Sequence, residues 1–159
     1  IAIKAALTGH FVMSTLHTND AASAITRLQD MGLESYLVSS TVVGIMAQRL
    51  VRRICSACRI EDAGSAELRD YFGLPAGETF YRGAGCGKCF DTGYKGRAMV
   101  GEIIEVTSAL REMITRKPGA EEIRTLAIRE GMTPLTQNAL AMARAGITTL
   151  DEVFSVKLE

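Results

Sequence analysis

The sequence predicts an α/β layered fold, interrupted by a small cysteine-rich module and closed by helices. Three observations carry this reading. A short apolar, β-branched run at residues 11–16 is followed by apolar residues at helical spacing. All four cysteines fall within residues 55–89, in a stretch of glycines and short polar turns. After residue 107 the apolar spacing is helical to the end.

Residues 1–7 combine Ala, Ile, Lys and Leu, which favour a helix, and Gly9 stands where one would stop. No start signal precedes Ile1, so the expectation is a piece of something longer. Phe11 to Leu16, bounded by Gly9 and by Asn19-Asp20, fits a buried parallel strand. Ala21, Ala24, Ile25, Leu28 and Met31 then mark a helix face, with Thr18, Asn19 or Asp20 as its cap and Gly32 as its stop. A second, longer helix is predicted over residues 35–54, burying Leu37, Val38, Val42, Ile45, Met46, Leu50 and Ile54.

The expected organisation is therefore three parts. Residues 1–54 form a partial α/β core, residues 55–97 a tetracysteine module, and residues 98–159 a strand with a helical C-terminal part. The strand is read from Arg97 to Val106, and helices from segments 108–116, 120–130 and 134–145, separated by Pro118-Gly119 and Gly131. Thr149 and Glu152 have the spacing of a capping box opening a last short helix.

Composition narrows the functional classes. Hydrophobic residues make up 47% and charged residues 23%, the profile of a folded globular chain. Eighteen basic residues balance eighteen acidic ones, so no net field draws in nucleic acid or anionic membrane. No apolar run reaches the roughly 18 residues that a spanning helix needs, and no leader pattern is visible. The expected compartment is the cytoplasm.

Cys55-x-x-Cys58 and Cys86-x-x-Cys89 each have the spacing that turns two thiolates toward one ion. Four sulfurs around zinc leave no open position, so the expected site is structural. The 27 intervening residues exceed the roughly 15–20 of common zinc ribbons, so that segment must build structure of its own. Since about forty residues rarely bury a sufficient core, zinc is expected to hold the module together. Buried thiols or a redox-active pair are the alternatives.

The two histidines, His10 and His17, flank the predicted strand. His17 stands just past its C-terminal end, where open α/β sheets bind ligands. By spacing alone, ordinary turn residues hydrogen-bonded to backbone are the better reading of both.

The run from Ala6 through Leu7-Thr8-Gly9-His10-Phe11-Val12-Met13-Ser14-Thr15-Leu16-His17-Thr18-Asn19-Asp20-Ala21 resembles the histidine box of the bacterial traffic ATPases of type II secretion and type IV pilus assembly. Gln48-Arg49-Leu50-Val51-Arg52-Arg53-Ile54-Cys55 is similar to the family's approach to its first cysteine pair. Gly93-Tyr94-Lys95-Gly96-Arg97 and Glu102-Ile103-Ile104-Glu105-Val106 resemble the return from its metal-binding arm. Arg129-Glu130-Gly131-Met132-Thr133-Pro134-Leu135 and Gly146-Ile147-Thr148-Thr149-Leu150-Asp151-Glu152-Val153 continue the likeness.

The resemblance implies the C-terminal part of a RecA-like ATPase that works as a homohexamer at the cytoplasmic face of the inner membrane, against a membrane platform protein. It makes His10 and His17 nucleotide-sensing residues, and Cys55, Cys58, Cys86 and Cys89 zinc ligands, with ATP and magnesium bound by the longer protein. No nucleic acid is expected as a partner. The phosphate-loop pattern G-x-x-x-x-G-K-[ST] is missing: Gly87-Lys88 is followed by Cys89, and Arg82 stands where the first glycine should be. Val100-Gly101-Glu102 echoes a strand ending in a catalytic carboxylate, but it follows the cysteine module and precedes no phosphate loop. The expectation is a fragment inactive alone. The alternative is a zinc-dependent nucleic-acid module resting on Arg49, Arg52, Arg53 and Arg59, against which the zero net charge and 6% aromatic content count.

Overall fold

The structure is a computed structural model and describes residues 1–158. It is a mixed α/β chain of eight helices and four strands among the described residues. The chain divides into two compact units, Ile1–Ala47 with Glu102–Pro134, and Gln48–Gly101 with the chain from Leu135 onward. Strand β1 (Gly44–Ile54) pairs with β4 (Tyr94–Glu105), and β2 (Arg59–Asp62) with β3 (Phe80–Gly83). Backbone bonds from Val106 N–H to the Val43 carbonyl, and from Cys55 N–H to the Gly93 carbonyl, show β1 and β4 to be antiparallel.

In the first unit, α2 (Ala21–Asp30), α3 (Ser35–Thr41), α5 (Ser108–Thr115) and α6 (Ala120–Arg129) enclose a core containing Ile25, Val38, Ile104, Leu110, Ile114 and Ile123. Of the three candidate caps for α2, Asp20 takes the position, its Oδ1 accepting from Ser23 N–H at 2.7 Å. Thr107 caps α5, accepting from Leu110 N–H. At the start of α6, Glu122 reaches back to accept from Gly119 N–H. Gln29 donates to the Ile114 carbonyl at 3.0 Å and Arg111 to the Ser39 carbonyl, tying α2 and α3 to α5. Helix α1 (Ala2–Leu7) buries no residue.

In the second unit, α4 (Ala66–Phe72) connects β2 to β3, which pair antiparallel with Arg59 opposite Gly83 and Asp62 opposite Phe80. Ser65 caps α4 and Gly73, at φ 61°, ends it in the left-handed conformation that glycine adopts without penalty. Phe80, Leu68 and Phe72 pack into one core with Val51, Val100, Ala139 of α7 (Leu135–Arg144) and Val153 of α8 (Leu150–Leu158). The cysteine-rich segment thus shares a core with the last two helices. The Arg69 guanidinium donates to the carbonyls of Ala63, Pro75 and Glu78, gathering the segments before and after α4 around one side chain.

A second lock joins β1 to the start of α8. Glu152 accepts from the Arg52 backbone N–H at 2.7 Å and from its Nε at 2.9 Å, Arg52 lies 4.1 Å over the Tyr94 ring, and Tyr94 Oη is 3.0 Å from Thr149 Oγ1. Half of the expected capping box forms, Thr149 Oγ1 accepting from Glu152 N–H. The Glu152 carboxylate goes to Arg52 instead.

Two expected elements are corrected. Residues 35–54 are not one helix: α3 stops at Thr41 and Gly44–Ile54 is strand β1. Ile45, Ala47, Arg49 and Val51 alternate inward, a period of two that the helical template overlooked. The strand expected at residues 11–16 is also not formed. A parallel strand exists only where a neighbour accepts and donates its ladder bonds. The four strands described are engaged with one another, and residues 11–16 have no regular secondary structure and are exposed.

Candidate functional site

The four cysteines converge. Cys55 follows the last residue of β1, and a tight turn returns Cys58 N–H to the Cys55 carbonyl at 3.2 Å. The second pair makes the matching turn, Cys89 N–H donating to the Cys86 carbonyl at 3.0 Å. Two further backbone bonds bring the turns together, Cys55 N–H to the Gly93 carbonyl and Ala84 N–H to the Cys58 carbonyl, both at 2.9 Å. Between them the chain crosses itself so closely that a Cβ on Gly83 would sit 2.0 Å from the Gly93 carbonyl oxygen. No other residue fits there.

All four sulfurs lie within 4.8 Å of one another, with Cys55–Cys86 at 4.0 Å, Cys58–Cys89 at 3.8 Å and Cys86–Cys89 at 3.8 Å. Four sulfurs at about 2.3 Å from a central zinc sit at tetrahedron corners about 3.8 Å apart. The donor set and its spacing therefore fit a tetrahedral metal, and the thiols are free. Cys55 and Cys89 are buried, while Cys58 and Cys86 are partly exposed.

Adjacent thiols in this cluster cannot behave alike. Burial pushes the Cys58 thiol up to about 12, and its contacts with the Cys86, Cys89 and Cys55 thiols add to this against a backbone hydrogen bond from Gly85. Burial acts the same way on Cys89, but hydrogen bonds from the Cys86 and Gly93 backbone and from the Cys86 and Cys58 thiols outweigh it and leave it at about 7. Four thiolates so close need a cation, which is the chemistry of a closed S4 metal site.

The histidines are placed differently. His10 follows the turn after α1, with Nδ1 3.1 Å from Thr8 Oγ1 and 3.3 Å from the Ala5 carbonyl oxygen. His17 stands near the end of this irregular segment, and both are exposed. Phe11 and Met13 between them are 81% and 85% exposed. The segment enters α2 through Thr18, whose Oγ1 donates to the Asp20 carbonyl, and Asp20, which Arg124 of α6 pairs with.

Glu102 is a residue to which sequence reasoning gave no role. It is 2% exposed, and its Oε1 accepts from Ala21 N–H at 2.9 Å. The signal was its parity: Val100, Ile104 and Val106 all face inward on β4 or just past it, and Glu102 shares their register.

The fold is that of a group of solved ATPase structures. The chain aligns over 98% of its length with the pilus retraction motor PilT and with the Yersinia pseudotuberculosis ATPase DotB, each at a TM-score of 0.63, with 21% and 22% identity and 34% and 32% of those chains covered. Residues 1–155 match the type II/IV secretion system protein family, and the chain belongs to it. The whole chain is 45% identical to 18% of the type IV pilus assembly ATPase PilB of Thermus thermophilus, and 44% identical to 32% of the type II secretion system ATPase E of Vibrio cholerae. It therefore spans about a fifth to a third of these curated relatives. Among the described residues, no helix is long and apolar enough to cross a membrane.

Proposed function

We propose that this chain is part of an ATPase that couples ATP hydrolysis to protein secretion or pilin polymerisation. The observation that carries this reading is the family match across residues 1–155, which includes both the histidine segment and the four cysteines. Residues outside these 159 would supply the phosphate loop and the catalytic carboxylate of a RecA-like core, with magnesium. His10 and His17 would contribute nucleotide sensing from the segment that leads directly into α2. A histidine that hydrogen-bonds the γ-phosphate can pass its loss to the adjoining helix. The longer protein would act as a homohexamer in the cytoplasm, at the inner membrane, against a platform protein.

Cys55, Cys58, Cys86 and Cys89 would hold one zinc. When bound, it supplies structural cross-linking between two turns and no chemistry toward a substrate. The residues' own part is to present four sulfurs at tetrahedral spacing, with amide donors shaping the turns. The C-terminal helices α7 and α8 serve as the bed on which this segment rests.

The test is to purify the longer protein and this chain in parallel. The longer protein should hydrolyse ATP and carry one zinc per chain. This chain should carry the zinc and show neither tight ATP binding nor turnover. Saturable micromolar ATP binding with turnover by the 159 residues alone would overturn this division of labour.

A further inference from the structure

We propose that Glu102 is a positioning residue for the histidine segment, its buried carboxylate holding the first amide of α2 and thereby fixing where residues 17–20 lie. This rests on the proposed ATPase reading, since it gives the histidine segment a task that depends on placement.

A carboxylate 2% exposed on an apolar strand face is destabilising unless hydrogen bonds compensate it. At this register Val or Ile would pack at lower cost. What the carboxylate does there is specific: from 81 residues away in sequence, Oε1 takes the Ala21 N–H, one of the amides that α2 cannot satisfy internally. Its negative charge also lies at the positive end of the helix.

Asp20 would suffice for an ordinary cap, since its Oδ1 already accepts from Ser23 N–H. The start of α2 is nevertheless gripped from two further directions, by Glu102 on β4 and by Arg124 on α6, which pairs with the other Asp20 oxygen. Fixing Ala21 constrains His17, because the four chain steps from one to the other span at most about 14 Å. The segment lacks strand partners among the described residues, so the anchor at its C-terminal end contributes to setting its placement relative to the core.

The test uses the longer protein and steady-state ATPase kinetics. Glu102→Gln retains an acceptor of the same size, whereas Glu102→Met keeps the volume and removes the acceptor. Glu102→Met should lower kcat about tenfold or more with KM for ATP unchanged, since displacement of a reacting group by an ångström costs up to about a hundredfold. Glu102→Gln should stay within about threefold of wild type. If Glu102→Met does not fold, Ala21→Pro breaks the same bond from the donor side: proline is accepted at the first helical position, and Asp20 at φ −144° and ψ 171° suits a residue preceding it.

Combined with His17→Ala, the Glu102→Met change should add nothing further, because both losses pass through His17. Multiplying losses, an unchanged kcat in Glu102→Met, or equal damage from Glu102→Gln would each overturn the proposal. If His17→Ala alone leaves turnover intact, the histidine reading itself fails and this one with it. If only the Glu102 variants are silent, this proposal fails alone.

Discussion

The four cysteines and the two histidines are both sets of ligating side chains, yet the chain treats them in opposite ways. The cysteines are brought to tetrahedral spacing by short turns, a close backbone crossing and bonds within one unit. The histidines sit on a stretch without regular secondary structure, with exposed apolar neighbours. The first site is built from local geometry. The second has no strand partner among the described residues, and it is held where it enters α2 by long-range contacts to Asp20 and Ala21. The difference shows which chemistry a segment can organise for itself, and it can be tested by breaking each side in turn.

The largest effect is expected at the metal. Structural zinc contributes roughly 10–16 kcal/mol of apparent binding energy in small peptides. Cys86→Ser should therefore reduce zinc from one per chain to a substoichiometric amount after dialysis. Amide exchange should rise in residues 55–58 and 84–93 while α5 and α6 keep their protection. A chain that purifies without zinc and is equally protected there would show the cysteines to be buried thiols only.

Next in size is the core beneath that site. Phe80 is 1% exposed in the cluster with Val51, Val100 and Val153, so Phe80→Ala should destabilise the chain by about 3–5 kcal/mol in urea unfolding. Zinc stoichiometry should persist, because the cysteine turns do not contain Phe80. Loss of both together would mean that metal site and core are one cooperative structure.

A smaller change is expected at the anchor of the histidine segment. Asp20→Ala removes the cap to Ser23 and the partner of Arg124, and should reduce stability by about 1–2 kcal/mol by the same measurement. The smallest effect on folding should come from His17→Ala. An exposed side chain away from any core shifts stability by no more than about 0.5 kcal/mol. In the longer protein the same change should lower turnover more than nucleotide binding. A stability loss above 1 kcal/mol in this chain would place His17 in a packed environment and erase the contrast.

Much of the fold is legible from local pattern. α2, β4, and helices α5 to α8 follow from apolar periodicity and from the Gly and Pro breaks between them. The cysteine cluster follows from two matched spacings. The failures have one physical origin, that strands are defined by their partners. Residues 44–54 contain apolar residues that satisfy either period, and only pairing with β4 decides for alternation. Residues 11–16 carry strand-forming side chains, but propensity supplies no ladder. Within the cysteine segment, Arg69 and its three carbonyls were invisible because nothing in a sequence says where a loop's carbonyls will converge. Glu102 was visible in principle, as the one acid in an inward register.

The lock between Arg52 and Glu152 joins residues 100 apart in sequence. At synthesis rates of about 5–20 residues per second, Arg52 waits on the order of 5–20 seconds before its partner has been made. All four sulfurs are in the nascent chain by residue 89. During vectorial translation the metal site can thus close while α7 and α8 are still unmade, leaving a nascent intermediate already cross-linked at one end. Its apolar side, with Phe80 and Val51, waits for the last two helices to arrive and cover it.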